Sequence, residues 1–288
     1  MGSAVLSGAQ RRRPRRIQGE LALLAPAALL LAVGLAIPLG LSVWLSVVDT
    51  TGGVNGYVWL FSNPVYLEIT LRTFSTAALT ALVCLALGYP YAYAMLTAGP
   101  KMRVFLLGCV VLPLMISVLV IAFAWLVILQ PGGLASKLFP LGLGDGLLGT
   151  LPAVVLGLTH ILIPYMILPL YTTMRSVDPK LVPAAMGLGA TRTRAFWTVF
   201  VPLTIPGIAS GVVFVFVFSL GFYVLPQLLG SPRQALIGQT IHTQVNDLLA
   251  WGRAGALAVV LILGTAAVFA LLTGVVRIVG ANRRGGRS

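Results

Sequence analysis

The sequence predicts an all-α, polytopic membrane protein: six transmembrane helices, with a short cytoplasmic helix between the fourth and the fifth. Three observations predict it. Of the 288 residues, 58% are hydrophobic and only 9% are charged, whereas a soluble domain carries roughly 25% charged residues. The apolar residues gather into six runs, each near the roughly 20 residues that a bilayer crossing needs. The 19 lysines and arginines, set against 6 acids, collect in alternate connections between those runs. In a soluble chain a net charge of +13 would suggest nucleic acid. Here the basic residues flank apolar runs, so the charge reads as topology and no nucleic-acid partner is expected.

The first run covers 21–48, behind the basic stretch RRRPRR at 11–16. A signal peptide has an apolar core of about 7–15 residues; this run is much longer, so a retained span is expected, bent near Pro38 and anchored by a basic tail over 1–20. The second and third runs, 73–97 and 104–129, are joined by the turn AGPKMR. The fourth, fifth and sixth cover 151–173, 204–228 and 254–276, so the membrane domain occupies 21–280 and a second basic tail 281–288.

Lys101, Arg103, Arg175, Lys180, Arg192, Arg194, Arg277, Arg283, Arg284 and Arg287 fall on the same side as the N-terminal arginines. Arg72, Lys137, Arg233 and Arg253 fall on the other. The positive-inside rule then places both termini in the cytoplasm, with the chain multi-pass in the cell (inner) membrane. Within the runs, Pro90, Pro113, Pro164, Pro169 and Pro226 imply kinks or breaks, which membranes tolerate where helices pack together or line a cavity. Gly88, Ala92, Ala122 and Ala124 permit close helix approach. The outer connections, 49–69, 130–150 and 229–252, carry Tyr57, Trp59, Phe61, Tyr66, Asp145, Asp247 and Trp251. They suit a substrate-delivery protein and an interfacial aromatic belt equally well.

The most structured polar interruption is the loop 178–207. Asp178 is an N-cap residue and Pro179 a first helical residue. Leu181, Ala184, Ala185 and Leu188 recur at helical spacing, with alanines that let a partner approach closely. Gly189 stands where a left-handed residue would end the helix. If the helix began at Pro179, the Pro183 ring would meet the Pro179 carbonyl and leave it unbonded. The regular helix is therefore expected to start at or near Pro183, or to kink there.

These residues resemble the EAA loop of permease subunits in binding-protein-dependent ABC importers, a pattern that falls here on Pro183, Ala184, Ala185, Gly189, Val199, Val201 and Pro202. Every spacing matches, and only the leading glutamate is replaced, by Pro183. The resemblance implies that Pro183, Ala184, Ala185, Leu188, Gly189, Arg192 and Pro202 form a coupling helix and its surroundings, docked on a cytoplasmic ATPase. It further implies ABC ATPase subunits, a second permease in a heterodimer, and an extracytoplasmic solute-binding protein as partners. Stretches such as LGYPYAYAML and SLGFYVLPQLLGSPRQALIGQTI look like the spermidine/putrescine branch of that family. Two places depart from that branch. Ile121-Ala122-Phe123-Ala124-Trp125 stands where an Arg-Thr-Tyr-Ala-Trp run is usual, and Gly221-Phe222-Tyr223 where Gly-Glu-Phe is usual. The resemblance implies a small polar or charged solute, a polyamine first, with an amino-acid-like solute or iron as alternatives. Trp125, His160, Phe222 and Tyr223 are candidates to line its path, the three aromatics by ring stacking or cation–π contact and His160 as a substrate contact, against packing as the competing role for each.

No apolar run holds an acid, lysine or arginine away from its ends, which argues against an ion-coupled carrier. An uncoupled channel is the other rival, and the loop argues against it. No metal site is expected, since His160 and His242 are the only histidines and neither neighbours a cysteine or acid cluster. Cys84 and Cys109 lie in apolar runs and imply no disulfide scaffold. No lysine sits in a Gly-Lys-Ser/Thr context, so no P-loop is present, and six scattered acids offer no catalytic cluster. No cofactor and no catalytic residue is expected; ATP hydrolysis would reside in a partner chain.

Overall fold

The computed structural model describes residues 15–48, 55–138 and 146–285, and among the described residues the regular structure is helical with no strand. Residues 1–14 of the expected basic tail, the Gly52-Gly53 pair, Asp145 and 286–288 lie outside the described residues. Helix α1 runs Arg15–Val48, α2 is the short Gly56–Ser62, and α3 runs Pro64–Thr97. Helix α4, Pro100–Val111, tightens into a 3-10 turn, Leu112–Met115, before α5, Val118–Leu129, and a single turn α6, Leu134–Leu138. Helix α7 runs Leu151–Ser176, α8 Leu181–Gly187, and α9 Arg192–Ala195. A π turn, Phe196–Phe200, joins α9 to α10, Val201–Gly221. Helix α11 is Val224–Leu229, α12 Ile237–Asn246, and α13 Trp251–Gly285.

Five helical stretches are long and apolar enough to span a membrane, and α4 with α5 makes up to a sixth. The expected single span over 104–129 is corrected: the chain bends by 99° between Met115 and Val118. Pro113 has no N–H to continue the ladder, and Ile116 turns to extended backbone (φ −90°, ψ 139°). The fifth span is corrected too. Helix is continuous over Arg192–Gly221 and stops at Phe222 (φ −71°, ψ 129°) rather than running to 228. The break places Pro226 third in α11, where its missing N–H would have no partner anyway. Pro90, Pro164 and Pro169 do not break their helices.

The core is the meeting of α3, α7 and α10. Helix α3 offers it a row of small residues: Thr73, Ala77, Ala81, Cys84, Gly88 and Ala92, all buried. Met166 of α7 sits at the centre. A Cβ on Gly88 would come within 3.0 Å of it and one on Gly211 of α10 within 2.6 Å, so three helix backbones converge there because two of them carry glycine. Ala92 and Ala122 are buried as expected of small contact residues, but Ala124 faces outward. Helices α1 and α13 pack on each other, and α12 packs on α13. Arg103, reaching back from α4, donates to the carbonyls of Met95 at 3.2 Å, Leu96 at 3.4 Å and Ala98 at 3.1 Å, which closes the otherwise open end of α3.

Candidate functional site

The loop between α7 and α10 is held in shape by short-range hydrogen bonds, from backbone groups and from the Asp178 and Thr191 side chains. Asp178 Oδ1 accepts from Lys180 N–H at 2.9 Å, and Leu181 N–H donates to Asp178 O at 3.2 Å, so a turn precedes the helix. Helix does not begin at Pro179, nor is it interrupted at Pro183. It begins at Leu181, and Pro183 is its third residue, where no intrahelical N–H bond is due. The C-terminal end forms a Schellman closure: Gly189 N–H donates to Met186 O at 3.0 Å and Ala190 N–H to Ala185 O at 3.1 Å. Gly189 has φ +93°, a conformation that side-chain-bearing residues resist. Thr191 then caps α9 by accepting from Arg194 N–H.

Nothing on α8 is buried. Leu181, Ala184, Met186 and Leu188 are exposed, Leu188 by 92%, while Val182 and Ala185 are half-buried toward the body. Arg192 and Arg194 are exposed, and neither has an acidic partner among the described residues. A short helix closed at its C-terminal end thus presents a large apolar side chain at its C-cap, with Arg192 and Arg194 following in the same loop, to the space outside the chain.

The link from this helix to the bundle is aromatic. In the π turn Val201 N–H reaches Phe196 O, five residues back, and this wider turn precedes Pro202, whose ring would crowd a regular one. It sets Phe196 and Phe200 stacked at 5.5 Å. Phe196 meets Tyr93 edge-on at 5.5 Å and Tyr89 at 6.3 Å, and Phe200 meets Tyr93 at 5.6 Å. Tyr89 hydroxyl lies 3.1 Å from Thr204 Oγ1. These residues were not singled out from the sequence, although Tyr89/Tyr93 and Phe196/Phe200 are each i, i+4 pairs, the signal that would have found them. Between α8, the ends of α3 and α7, and the π turn lies a cavity of about 660 Å³.

The four candidate path residues fall into two pairs of contacts. Trp125 Nε1–H donates to His160 Nδ1 at 2.9 Å, joining α5 to α7. The neutral imidazole therefore carries its proton at Nε2. Phe222 and Tyr223 form the break after α10, and Tyr223 stacks on His242 of α12 at 4.8 Å. Phe222 and Tyr223 line a second cavity of about 420 Å³ together with Val118, the first residue after the bend in the third span. The two broken spans therefore border one space. Among the described residues no cluster of His, Cys, Asp or Glu is arranged to hold a metal.

A family described as binding-protein-dependent transport system inner membrane component matches residues 86–285. A spermidine/putrescine transport system permease protein PotB from Haemophilus influenzae is 35% identical over 195 residues, covering 66% of this chain and 68% of that one. The protein of the same name from Escherichia coli K12 is 31% identical over 208 residues, covering 70% and 76%. Among solved structures, a chain of a bacterial alginate ABC transporter, in complex with an alginate pentasaccharide-bound periplasmic protein, superposes with a TM-score of 0.69 at 19% identity, covering 88% of this chain and 92% of that one.

Proposed function

Because the chain belongs to the family of binding-protein-dependent transport system inner membrane components, we propose that α8 is where ATP-driven motion enters its helix bundle. The chain is a permease subunit of an ABC importer, a transport subunit rather than an enzyme. The observation that carries the proposal is Leu188, a large apolar side chain 92% exposed at the C-cap of a helix that buries nothing. Such a surface is stable in a membrane protein's polar loop when another protein covers it. The occupant is a separate ATPase subunit, which supplies the hydrolysis that this chain has no P-loop to perform. Both termini and α8 face the cytoplasm in this reading, with the basic tails 1–20 and 281–288 flanking the membrane domain.

Closure of an ATPase dimer displaces α8 as a unit, since a turn at Asp178 precedes it and the Gly189 closure ends it. Phe196 and Phe200 pass the displacement to α3 through Tyr89 and Tyr93. The uninterrupted helix Arg192–Gly221 passes it to the break at Phe222 and Tyr223, at the far end. A two-state bundle biased through one docked element switches access across the membrane. The path lies between this chain and a second permease, fed by an extracytoplasmic solute-binding protein. Its substrate is a polyamine, the solute named for the PotB relatives. Discontinuous helices are where membrane transporters build solute sites. Phe222 and Tyr223 offer ring faces to an ammonium group where the family resemblance expects a carboxylate. The same importer architecture for another small solute is favoured by one observation: no acidic side chain lines the cavity at the break.

The test is ATP-dependent spermidine uptake by the reconstituted importer, with Leu188→Asp as the variant. The variant is expected to insert normally, to lose ATPase co-purification and to abolish uptake. Normal uptake by Leu188→Asp refutes the coupling role; uptake of another solute but not of polyamine replaces the substrate.

A further inference from the structure

We propose that the cavity behind α8 binds an anionic phospholipid from the cytoplasmic leaflet, and that the lipid braces α8 against the ends of α3 and α7. Two features of the cavity point there together. Its wall is apolar: Leu96 of α3, Val177, Val182 of α8, and Phe196 and Phe200 of the π turn. Its rim carries two guanidiniums, Arg175 and Arg192. Neither has an acidic partner, since the ion pair among the described residues is Arg72–Glu68. The acid on the rim is Asp178, whose Oδ1 is engaged by Lys180 N–H at 2.9 Å. Lys180 and Arg194 add further positive charge along the same loop.

The chemistry selects the occupant. A soluble anion would satisfy the arginines and leave the apolar wall in water. A zwitterionic lipid would cover the wall and leave the cations without a net negative partner. A phosphate head on an acyl chain does both, and the cavity opens where two spans end, at headgroup depth. Basic pockets between transmembrane helices on the cytoplasmic side take acidic headgroups for this reason. At about 660 Å³ the cavity holds the head and the upper part of a chain, with the remainder in the bilayer. The inference rests on the cytoplasmic orientation of the loop. It does not require an ATPase on α8.

The test is native mass spectrometry of the intact importer released from nanodiscs of phosphatidylcholine, with and without phosphatidylglycerol. The wild type is expected to retain phosphatidylglycerol preferentially. Arg175→Gln with Arg192→Gln should retain about 25-fold less, taking about fivefold per basic residue near a charged surface. Leu96→Trp, which narrows the cavity without changing charge, should also lose the lipid. Arg233→Gln, which removes one positive charge at the opposite end of the bundle, should retain it. Equal retention of the two lipids overturns the proposal. So does equal loss in Arg233→Gln, which would mean bulk attraction, and so does retention of added inorganic phosphate in phosphatidylcholine discs undiminished by Leu96→Trp, which would mean a soluble-anion site. Wild-type ATPase co-purification and uptake by Leu188→Asp would sink the role given to α8 and leave the lipid site standing.

Discussion

Two short helices flank the long helical stretch that contains α10, and they are built alike. Helix α8 reads LVPAAMG and α11 reads VLPQLL, each with proline third, in the first turn, where its missing N–H has no partner to lose. Their surroundings are opposite. In α11, Leu225 and Leu229 are 0% exposed. Leu229 and Leu225 close on Gly157 of α7 so tightly that a Cβ there would lie 2.6 Å from Leu229. In α8 nothing is buried, and the space behind it is a cavity. Local sequence thus makes both helices, but only one buries its side chains fully within the chain. The other is finished locally and open tertiarily, which is what a docking element for a second protein requires.

The largest effect that tests this contrast is on stability. Leu225→Ala empties a packed site and should cost about 2–5 kcal/mol. Leu188→Ala removes a side chain that touches little and should change stability by under about 0.5 kcal/mol. Unfolding of the purified importer in detergent, followed by circular dichroism, measures both. Equal losses would mean that α8 is packed like α11 and that its exposure is not a free surface.

A smaller effect concerns transmission. If α8 acts on the bundle through the ring cluster, Phe196→Ala should separate docking from transport. Each edge-on aromatic contact contributes about 0.5–1.5 kcal/mol, so the variant should still fold, co-purify with its ATPase and hydrolyse ATP. Spermidine uptake per assembled complex should fall about tenfold, the rate equivalent of about 1.4 kcal/mol. Wild-type uptake would show that the motion travels by the backbone of α9 and α10 without the rings.

How legible each region was follows from how local its causes are. The end of α8 was readable because Gly189 alone can take φ +93° cheaply. Span number was readable because a bilayer sets a minimum apolar length. The bend after Met115 and the break at Phe222 were not, because the sequence is apolar on both sides of each. Proline marked them only among other candidates: Pro113 and Pro226 stand beside the bend and the break, but Pro90, Pro164 and Pro169 sit inside unbroken helices. Whether a proline breaks a buried helix depends on which neighbours satisfy the freed carbonyl, and that is tertiary information. Trp125 and His160 each stand out singly in the sequence, but nothing in a spacing of 35 predicts their 2.9 Å bond. Helix α12 resembles an ordinary connection in sequence because its polar residues hide an amphipathic face, one that buries Ile237 and Gln244. Ile237 N–H is tied to Thr73 Oγ1 of α3 at 2.9 Å.

The smallest effect is the most discriminating, because it changes the same residue in both helices. Pro183 is third in α8 and exposed, so Pro183→Glu adds an N–H that water can satisfy and a carboxylate near a helix N-terminus that has no acid in its first turn. Such a charge contributes about 0.3–1 kcal/mol through the helix dipole. Stability should therefore hold or rise slightly, and ATPase co-purification should be retained, since the substitution restores the residue that the EAA pattern carries at this position. Pro226 occupies the corresponding place in α11 but is buried. A glutamate there must lose its hydration without a basic partner, so Pro226→Glu should destabilise by several kcal/mol or fail to insert. Quantifying folded protein and bound ATPase for the two variants side by side decides the matter. If Pro183→Glu folds but loses the ATPase, the partner's groove has adapted to the proline ring, and α8 is still the docking element. If it misfolds as Pro226→Glu does, the contrast between the two helices is wrong, and α8 must be packed against something in this chain's own assembly.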